Sequence, residues 1–303
     1  MNALVSVIIP TYNRRDDIFR ALESVFEQEY RPVEIIIVDD CSTDGTIERL
    51  AEVEFSVPVQ VIRLPINQGA GAARNIAMAA ATGKYIAFLD SDDHWLPNKL
   101  AREIPILENR SQNTVLFSEA YIRRKYDIVI RPRRANRMGE ALQEYLFVHG
   151  EQIALCSVVL SAQLAREVGF KAIRVHEDWD FFFRLESRGS QFVLDPKPLC
   201  IVEDANPVGR ASAPQPVISL DWLESWQDRI SPASYLGMRA RIAPLLRKER
   251  PIVGLRFILE AWVKNAIGFW TLSALIGRLV HPGLRTIAYW LHGRHQRYKR
   301  SVI

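Results

Sequence analysis

Cysteine is scarce. Only Cys41, Cys156 and Cys200 occur in 303 residues, too few and too scattered for a disulfide scaffold or a cysteine-built zinc site, so a reducing compartment is expected. The N-terminal MNALVSVIIPTYNRRDD lacks the basic segment that opens a secretory signal and runs straight into a strand-like stretch, which places the main body of the chain in the cytosol. Internal repeats and long low-complexity segments are missing too. In the C-terminal region the longest uncharged run, Asn265–Gly277, has 13 residues, short of the roughly 20 that span a bilayer.

What is present is an ordinary folded composition, 48% hydrophobic and 24% charged, at a length suited to one sizeable α/β domain plus an appendage. The net charge of +4 is unevenly spread, with 13 Lys/Arg against 2 acids from Gly237 to the end. The first four-fifths is therefore mildly acidic. That split excludes a uniformly basic nucleic-acid binder, and a basic tail on an acidic body suits a local anionic partner such as a membrane surface.

Apolar runs and punctuation give an alternating map. Val5–Pro10, Val33–Val38, Val59–Leu64 and Tyr85–Leu89 read as buried strands, separated by helical spacing over Asp16–Gln28, Thr43–Val53 and Ala70–Ala81. Strands apolar on both faces, alternating with helices, predict a mostly parallel central sheet flanked by helices. After a helix over Pro97–Glu108, strands are expected at Thr114–Ser118, Ala120–Ile130 and Ser157–Ser161, and edge strands at Gln191–Leu194 and Leu199–Val202. Helices are expected at Gly139–Val148 and Glu177–Ser187. The resulting domain reading is 1–205 as one α/β domain, 206–216 as a Pro/Ser/Ala linker, and 217–303 as a helical, basic region.

Ligands of an open parallel sheet bind beyond the carboxyl ends of its strands. Those ends carry Pro10-Thr11-Tyr12-Asn13, then Asp39-Asp40 through Thr46, then Asn67 through Asn75, then Asp90-Ser91-Asp92-Asp93. Each has a plain alternative: a turn and cap for Asp39-Asp40, a loop for Gly69 and Gly71, a helix cap for the last. A cap needs one acid, however, and three carboxylates within four positions repel unless a cation intervenes. Oxygen ligands of that kind suit Mg²⁺ or Mn²⁺ bridging a diphosphate. Tyr12 can offer its ring to a nucleobase, Asp40 can accept from a base or ribose, and Arg74 can reach base or phosphate. Farther on, His176-Glu177-Asp178-Trp179-Asp180 is either an acidic helix start over a Phe-rich core or the seat of a general base, Asp178.

Taken together, the Pro10–Asn13, Val38–Thr46, Asn67–Asn75, Leu89–Asp93 and Glu177–Asp180 segments resemble the family 2 glycosyltransferases of GT-A fold, a Rossmann-like α/β architecture. The resemblance covers roughly the first 200 residues. It implies inverting transfer from a nucleotide-sugar, often a UDP-sugar, with a divalent metal. Thr11, Tyr12, Asp40 and Arg74 match nucleotide-contacting positions, and Pro10, Asn13 and Ser91 lie in the same motifs. Asp90 and Asp92 match the metal-side pair, with Asp92 the direct ligand, and Asp178 matches the catalytic base. Asp39, Asp93 and Glu177 flank these positions. Arg210 is the candidate for a phosphate-contacting loop, although Glu203 and Asp204 beside it depart from the family pattern.

The acceptor implied is a glycan or lipid-linked glycan hydroxyl, in surface polysaccharide synthesis on the cytosolic face of a membrane. Two other readings remain: a silent nucleotide-sugar binder, and a sugar nucleotidyltransferase. The latter is disfavoured because Thr11-Tyr12-Asn13-Arg14-Arg15 contains no glycine. In the tail, residues 252–303 hold Trp262, Trp270 and Trp290 among basic side chains, as an interfacial helix region would; packing of these helices on the protein itself is equally compatible.

Overall fold

The computed structural model describes residues 2–204 and 215–280. Contacts divide the chain into two compact units, Met1–Met138 with Glu151–Ala211, and Gly139–Gly150 with Ser212–Ile303. The sequence reading assigned residues 139–150 to the first domain; they group instead with the second unit.

In chain order the first unit contains β1 (Val5–Thr11), α1 (Asp17–Phe26), β2 (Val33–Asp39), α2 (Thr46–Leu50), β3 (Val59–Arg63), α3 (Ala70–Ala80), β4 (Tyr85–Phe88), β5 (His94–Trp95) and α4 (Lys99–Glu108). It continues with β6 (Thr114–Arg123), β7 (Ile128–Arg131), β8 (Val158–Ser161), α5 (Ala162–Val168), α6 (Glu177–Ser187) and β9 (Gln191–Glu203). All the strands join one sheet in the order β3-β2-β1-β4-β8-β6-β9-β5, with β7 on β6. β1, β2, β3 and β4 are mutually parallel. β8 is antiparallel to both β4 and β6, so β6 and its parallel neighbour β9 run with the first four strands. The mostly parallel α/β sheet expected from the apolar runs is what forms.

Alternation on β1 and β4 divides the core between two faces. Val5, Val7, Ile9, Ala87 and Leu89 pack with Ile18, Leu22 and Val25 of α1 and Leu100 and Ile104 of α4. On β4, Phe88 lies edge-on to Phe170 at 5.5 Å and to Phe181 at 5.9 Å. Phe170 and Phe181 stack at 4.3 Å. Burial of Phe181, Phe182 and Phe183 anchors α6, and with it the acids of its first turn, to this face.

Two expectations change. The stretches Thr114–Ser118 and Ala120–Ile130 are one strand, β6, followed by a turn and β7. Gln191–Leu194 and Leu199–Val202 are likewise one strand, β9, lying between β6 and β5 rather than at the edge. The register shifts at Ser118–Ala120 opposite Asp195–Cys200. Pro196 sits within that bulge, where no ladder N–H is required, which is how a proline-bearing stretch keeps an interior place. The helix expected at Gly139–Val148 is reduced to a π-helical turn over Glu144–Val148.

The second unit holds α7 (Pro216–Glu224), α8 (Pro232–Ile242), α9 (Pro251–Val263) and α10 (Phe269–Val280) around Leu236, Ala240, Ile258, Ala261, Leu272 and Leu275. Gly237 lets α8 approach the 144–148 turn so closely that a Cβ would lie 2.7 Å from the Phe147 carbonyl oxygen. No helix among the described residues is long and apolar enough to cross a membrane. The linker and tail residues 205–214 and 281–303, including Arg210 and Trp290, lie outside the described residues.

Candidate active site

Beyond the carboxyl end of β1, Thr11 is buried and its Oγ1 has no hydrogen-bond partner. Tyr12 is 40% exposed, leaving a ring face open to a ligand. Asn13 takes a left-handed backbone, φ 52°, and clips the first two loops together. Its backbone N–H donates to Ser42 Oγ at 2.8 Å, and its Oδ1 accepts from the Thr43 N–H at 2.9 Å.

At the end of β2 the two neighbouring acids divide. Asp40 accepts from the Gln68 and Gly69 N–H groups at 2.7 and 2.8 Å, so it ties the β3–α3 loop to the sheet. Asp39 is wholly buried; its Oδ2 accepts from the Ser42 N–H at 2.9 Å and its Oδ1 has no partner. A buried carboxylate oxygen left unsatisfied carries an energetic penalty that a donor group would relieve. Asp39 therefore offers the open acceptor on this strand, beside the unpartnered Thr11 Oγ1.

Arg74 occupies the centre. Only 4% exposed, it donates from Nη2 to Asp90 Oδ1 at 2.6 Å and from Nη1 to Glu177 Oε1 at 3.3 Å. Its guanidinium also lies 5.4 Å from the Phe170 ring. Burial opposes its charge, but Asp90, Glu177 and Asp178 hold it protonated more firmly than an ordinary arginine. Sequence reasoning placed Arg74 at the donor; the structure makes it the link between the β4 acids and the first turn of α6. Gly71 permits that meeting, because a Cβ there would stand 3.0 Å from the Lys171 carbonyl oxygen and 3.3 Å from Phe170 Cβ.

The β4 acids form a tight turn, with the Asp93 N–H on the Asp90 carbonyl at 3.0 Å. Asp90 and Asp92 are part-exposed, and Arg14, whose role the sequence did not reveal, reaches Asp92 Oδ2 at 3.2 Å. Ser91 is buried between them. Asp93 is buried and accepts from the Glu203 N–H at 3.0 Å. Burial, then Asp90 and Asp92, push its carboxyl well above the usual range. Glu203, out of place in the sequence reading, is occupied by Arg123 at 2.6 Å and Arg20 at 3.6 Å.

Asp178 accepts from the N–H of Trp179 at 2.8 Å. Burial, then the neighbouring Glu177 charge, raise its carboxyl to about 7, against the pull of that N–H and of Arg74. His176 stacks on Trp179 at 4.6 Å, and burial lowers its imidazole to about 4; it is neutral at physiological pH.

Does this donor set suit a divalent cation? Among the described residues no three His, Cys, Asp or Glu side chains form a ready-made cage. Mg²⁺-type ions, however, are commonly held by one or two carboxylates plus substrate phosphates. Part-exposed Asp90 and Asp92 supply that number of hard oxygen ligands. The residues fit. A separate groove of about 370 Å³, lined by Lys84, Glu108, Arg110 and Arg166 among others, lies at the amino ends of β4 and β6 and includes none of these residues.

Residues 6–156 match the family model Glycosyl transferase family 2. The chain is 30% identical over 257 residues to the amylovoran biosynthesis glycosyltransferase AmsB of Erwinia amylovora, covering 80% of this chain and 84% of that protein. It is 33% identical over 192 residues to the UDP-Glc:alpha-D-GlcNAc-diphosphoundecaprenol beta-1,3-glucosyltransferase WfaP of Escherichia coli, covering 61% and 71%. For some other curated relatives the match spans less than half their length, 43% in one case. Among solved structures, the mannosyltransferase PcManGT from Pyrobaculum calidifontis, in complex with GDP-Man and Mn²⁺, superposes with a TM-score of 0.57 at 18% identity, over 95% of this chain and 84% of that one. The shared fold is the GT-A fold.

If Arg74 holds two acids together rather than serving the donor alone, its loss registers without any ligand. Arg74→Leu is expected to cost about 3 kcal/mol in urea unfolding of the unliganded protein, because it leaves part-buried carboxylates unpaired. Unfolding unchanged from the parent would contradict the linking role.

Proposed function

This chain belongs to glycosyltransferase family 2, and on that premise we propose that it is an inverting enzyme moving a sugar from a nucleotide diphosphate, UDP foremost, to a hydroxyl of a glycan or lipid-linked glycan. That it is a glycosyltransferase of polysaccharide biosynthesis follows from the family and from relatives such as AmsB. The finer reading rests on one observation above the others: Arg74 draws Asp90 and Glu177 to a single buried cation, so the acids after β4 and Asp178 share one rim of the sheet. The UDP-sugar donor is favoured because WfaP is named for UDP-Glc.

Each part of the rim then has work to do. Tyr12 stacks on the base, while Asp39 Oδ1 and Thr11 Oγ1 accept its polar hydrogens or those of the ribose. Asp92 and Asp90 would hold the Mg²⁺ or Mn²⁺ ion, which when bound neutralises charge developing on the departing diphosphate. The acceptor oxygen attacks the anomeric carbon from the face opposite the diphosphate. As the new C–O bond forms the old one breaks, the nucleoside diphosphate leaves, and Asp178 takes the hydroxyl proton. A carboxyl raised to about 7 is a stronger base than an ordinary aspartate and is still substantially ionised near neutrality. Arg210 remains the proposed phosphate contact from the loop outside the described residues.

The second unit supports peripheral attachment to the cytosolic face of a membrane. Ile252, Trp262, Val263, Phe269 and Trp270 are exposed on α9 and α10, and cations dominate the sequence around them. Apolar side chains beside cations bind anionic lipid interfaces.

Four measurements test this reading. Asp178→Asn is expected to bind donor normally yet lose transfer by about 10² to 10⁴-fold. In the parent, kcat/KM should rise with pH and level off above about 7, since only the ionised carboxylate accepts a proton; a flat profile, or full turnover by the variant, would remove Asp178 from the role. Asp92→Asn should abolish the extra thermal stabilisation that Mn²⁺ confers on the UDP-sugar-bound protein, and an unaltered Mn²⁺ response would end the ligand assignment. Trp262→Ser combined with Trp270→Ser should lower sedimentation with vesicles of equal parts phosphatidylcholine and phosphatidylglycerol, whereas parental binding would refute the attachment.

A further inference from the structure

We propose that Arg14 is an exchangeable counter-cation of the donor site: its guanidinium holds the Asp92 carboxylate until a divalent ion takes that carboxylate, and then turns to the diphosphate that arrives with the ion. The inference rests on the donor reading above, in which Asp92 is a metal ligand, and adds a residue to it.

Arg14 is presented by a fixed piece of backbone. Its N–H donates to Thr46 Oγ1 at 3.1 Å, and its carbonyl accepts from the Ile18 N–H at 3.1 Å as α1 begins. Thr46 is itself buried at the start of α2, with its hydroxyl on Asp44. Asn13, in its left-handed conformation, turns the chain immediately before. With the backbone tied on both sides, the side chain is the part left to move. It crosses from the β1 loop to the β4 turn, where Nη2 lies 3.2 Å from Asp92 Oδ2.

Both carboxylates suited to a divalent ion carry a guanidinium, Asp90 that of Arg74 and Asp92 that of Arg14. An ion that takes them must compete with these arginines, and the two contacts are unequal. Arg74 stands 2.6 Å from Asp90, its side chain is 5% exposed, and a second acid, Glu177, holds it as well. Arg14 stands at 3.2 Å with its side chain 16% exposed, against an Asp92 side chain that is 28% exposed. That distance exceeds the roughly 2.7–2.9 Å of a strong charge-assisted bond. Arg14 therefore yields first. Coulomb attraction favours the exchange, since a doubly charged ion pulls on a carboxylate about twice as hard as a guanidinium at the same distance.

An ion that bridges Asp92 to a diphosphate brings that diphosphate beside the carboxylate Arg14 already touches. The guanidinium fork matches phosphate oxygens as well as it matches a carboxylate, so the displaced side chain meets a second anion while its backbone stays in place. Arg20, the next arginine on α1, is held instead by Asp17 and Glu203. Arg14 thus opposes the metal when it comes alone and assists the diphosphate when the two come together.

The experiment uses the full chain, with Mn²⁺ uptake in the absence of nucleotide followed by electron paramagnetic resonance and UDP affinity at saturating Mn²⁺ measured by calorimetry. Arg14→Gln should bind Mn²⁺ about five-fold more tightly than the parent, the size of one part-exposed ion pair. It should bind UDP about ten-fold more weakly, the size of one hydrogen bond to a charged group. Arg14→Lys, which keeps the charge, should stay near the parent for Mn²⁺ and fall between the two for UDP. Arg15→Gln removes the adjacent cation and should move neither affinity. A residue that only braced the loop would weaken both ligands together and lower the melting temperature. The proposal is overturned if Arg14→Gln binds Mn²⁺ no more tightly than the parent, if it binds UDP no more weakly, or if Arg15→Gln reproduces its shifts. Failure of UDP and Mn²⁺ to bind the parent would end the donor reading and this proposal with it, whereas parental binding that Arg14→Gln leaves unchanged would end this proposal alone.

Discussion

One buried cation governs the arrangement of the rim. Asp90, Asp92, Asp93, Glu177 and Asp178 are drawn toward the same end of the first unit, and without compensation their mutual repulsion would open it. Arg74 supplies that compensation from inside, bonded to one acid on either side and shielded by the Phe170 ring. Its fork of donors suits two carboxylates at once in a way that a lysine ammonium would not. Gly71, one turn earlier on α3, lets the chain before α6 come close enough for the second contact. The acids after β4 and those of α6 thereby meet at one rim of the first unit.

Compensation is deliberately incomplete in its chemistry. Asp93 and Asp178 are both pushed upward by burial and by neighbouring carboxylates, and Asp39 and Thr11 each retain an unpartnered oxygen. Clusters of perturbed acids and orphaned polar atoms at the carboxyl ends of strands mark sites whose balance is restored by a ligand. On the proposed reading, a nucleotide-sugar accompanied by a divalent cation would bring cationic charge for the acids and N–H or O–H groups for the open acceptors.

Lys and Arg cluster in the sequence of both units, but only the C-terminal cluster is visible in average charge. The first 236 residues sum to an acidic total, which conceals the Arg-rich stretch around the β6–β7 turn. A running charge count over windows of the size of a hairpin would have found it. The pairing of Glu203 with Arg123 and of Asp204 with Arg124 also explains two acids that looked foreign to a diphosphate site. They hold the hairpin to the sheet.

The amino-acid sequence by itself determined the alternating strands and helices of the first unit, the span of α6, and the acid motifs at successive strand ends, because apolar period and strand-end chemistry are local properties. It also carried the family. Only the tertiary structure decided that β6 and β9 are continuous through a bulge, that residues 139–150 belong with the C-terminal helices, and that Asp40 braces a loop while Asp39 keeps an open oxygen. It alone joined Arg74 to Glu177, 103 positions away, and Arg14 to Asp92, 78 positions away. Such pairings depend on how strands order themselves in the sheet and on which backbones can approach, and no period or short motif encodes a distance between segments that meet only after folding.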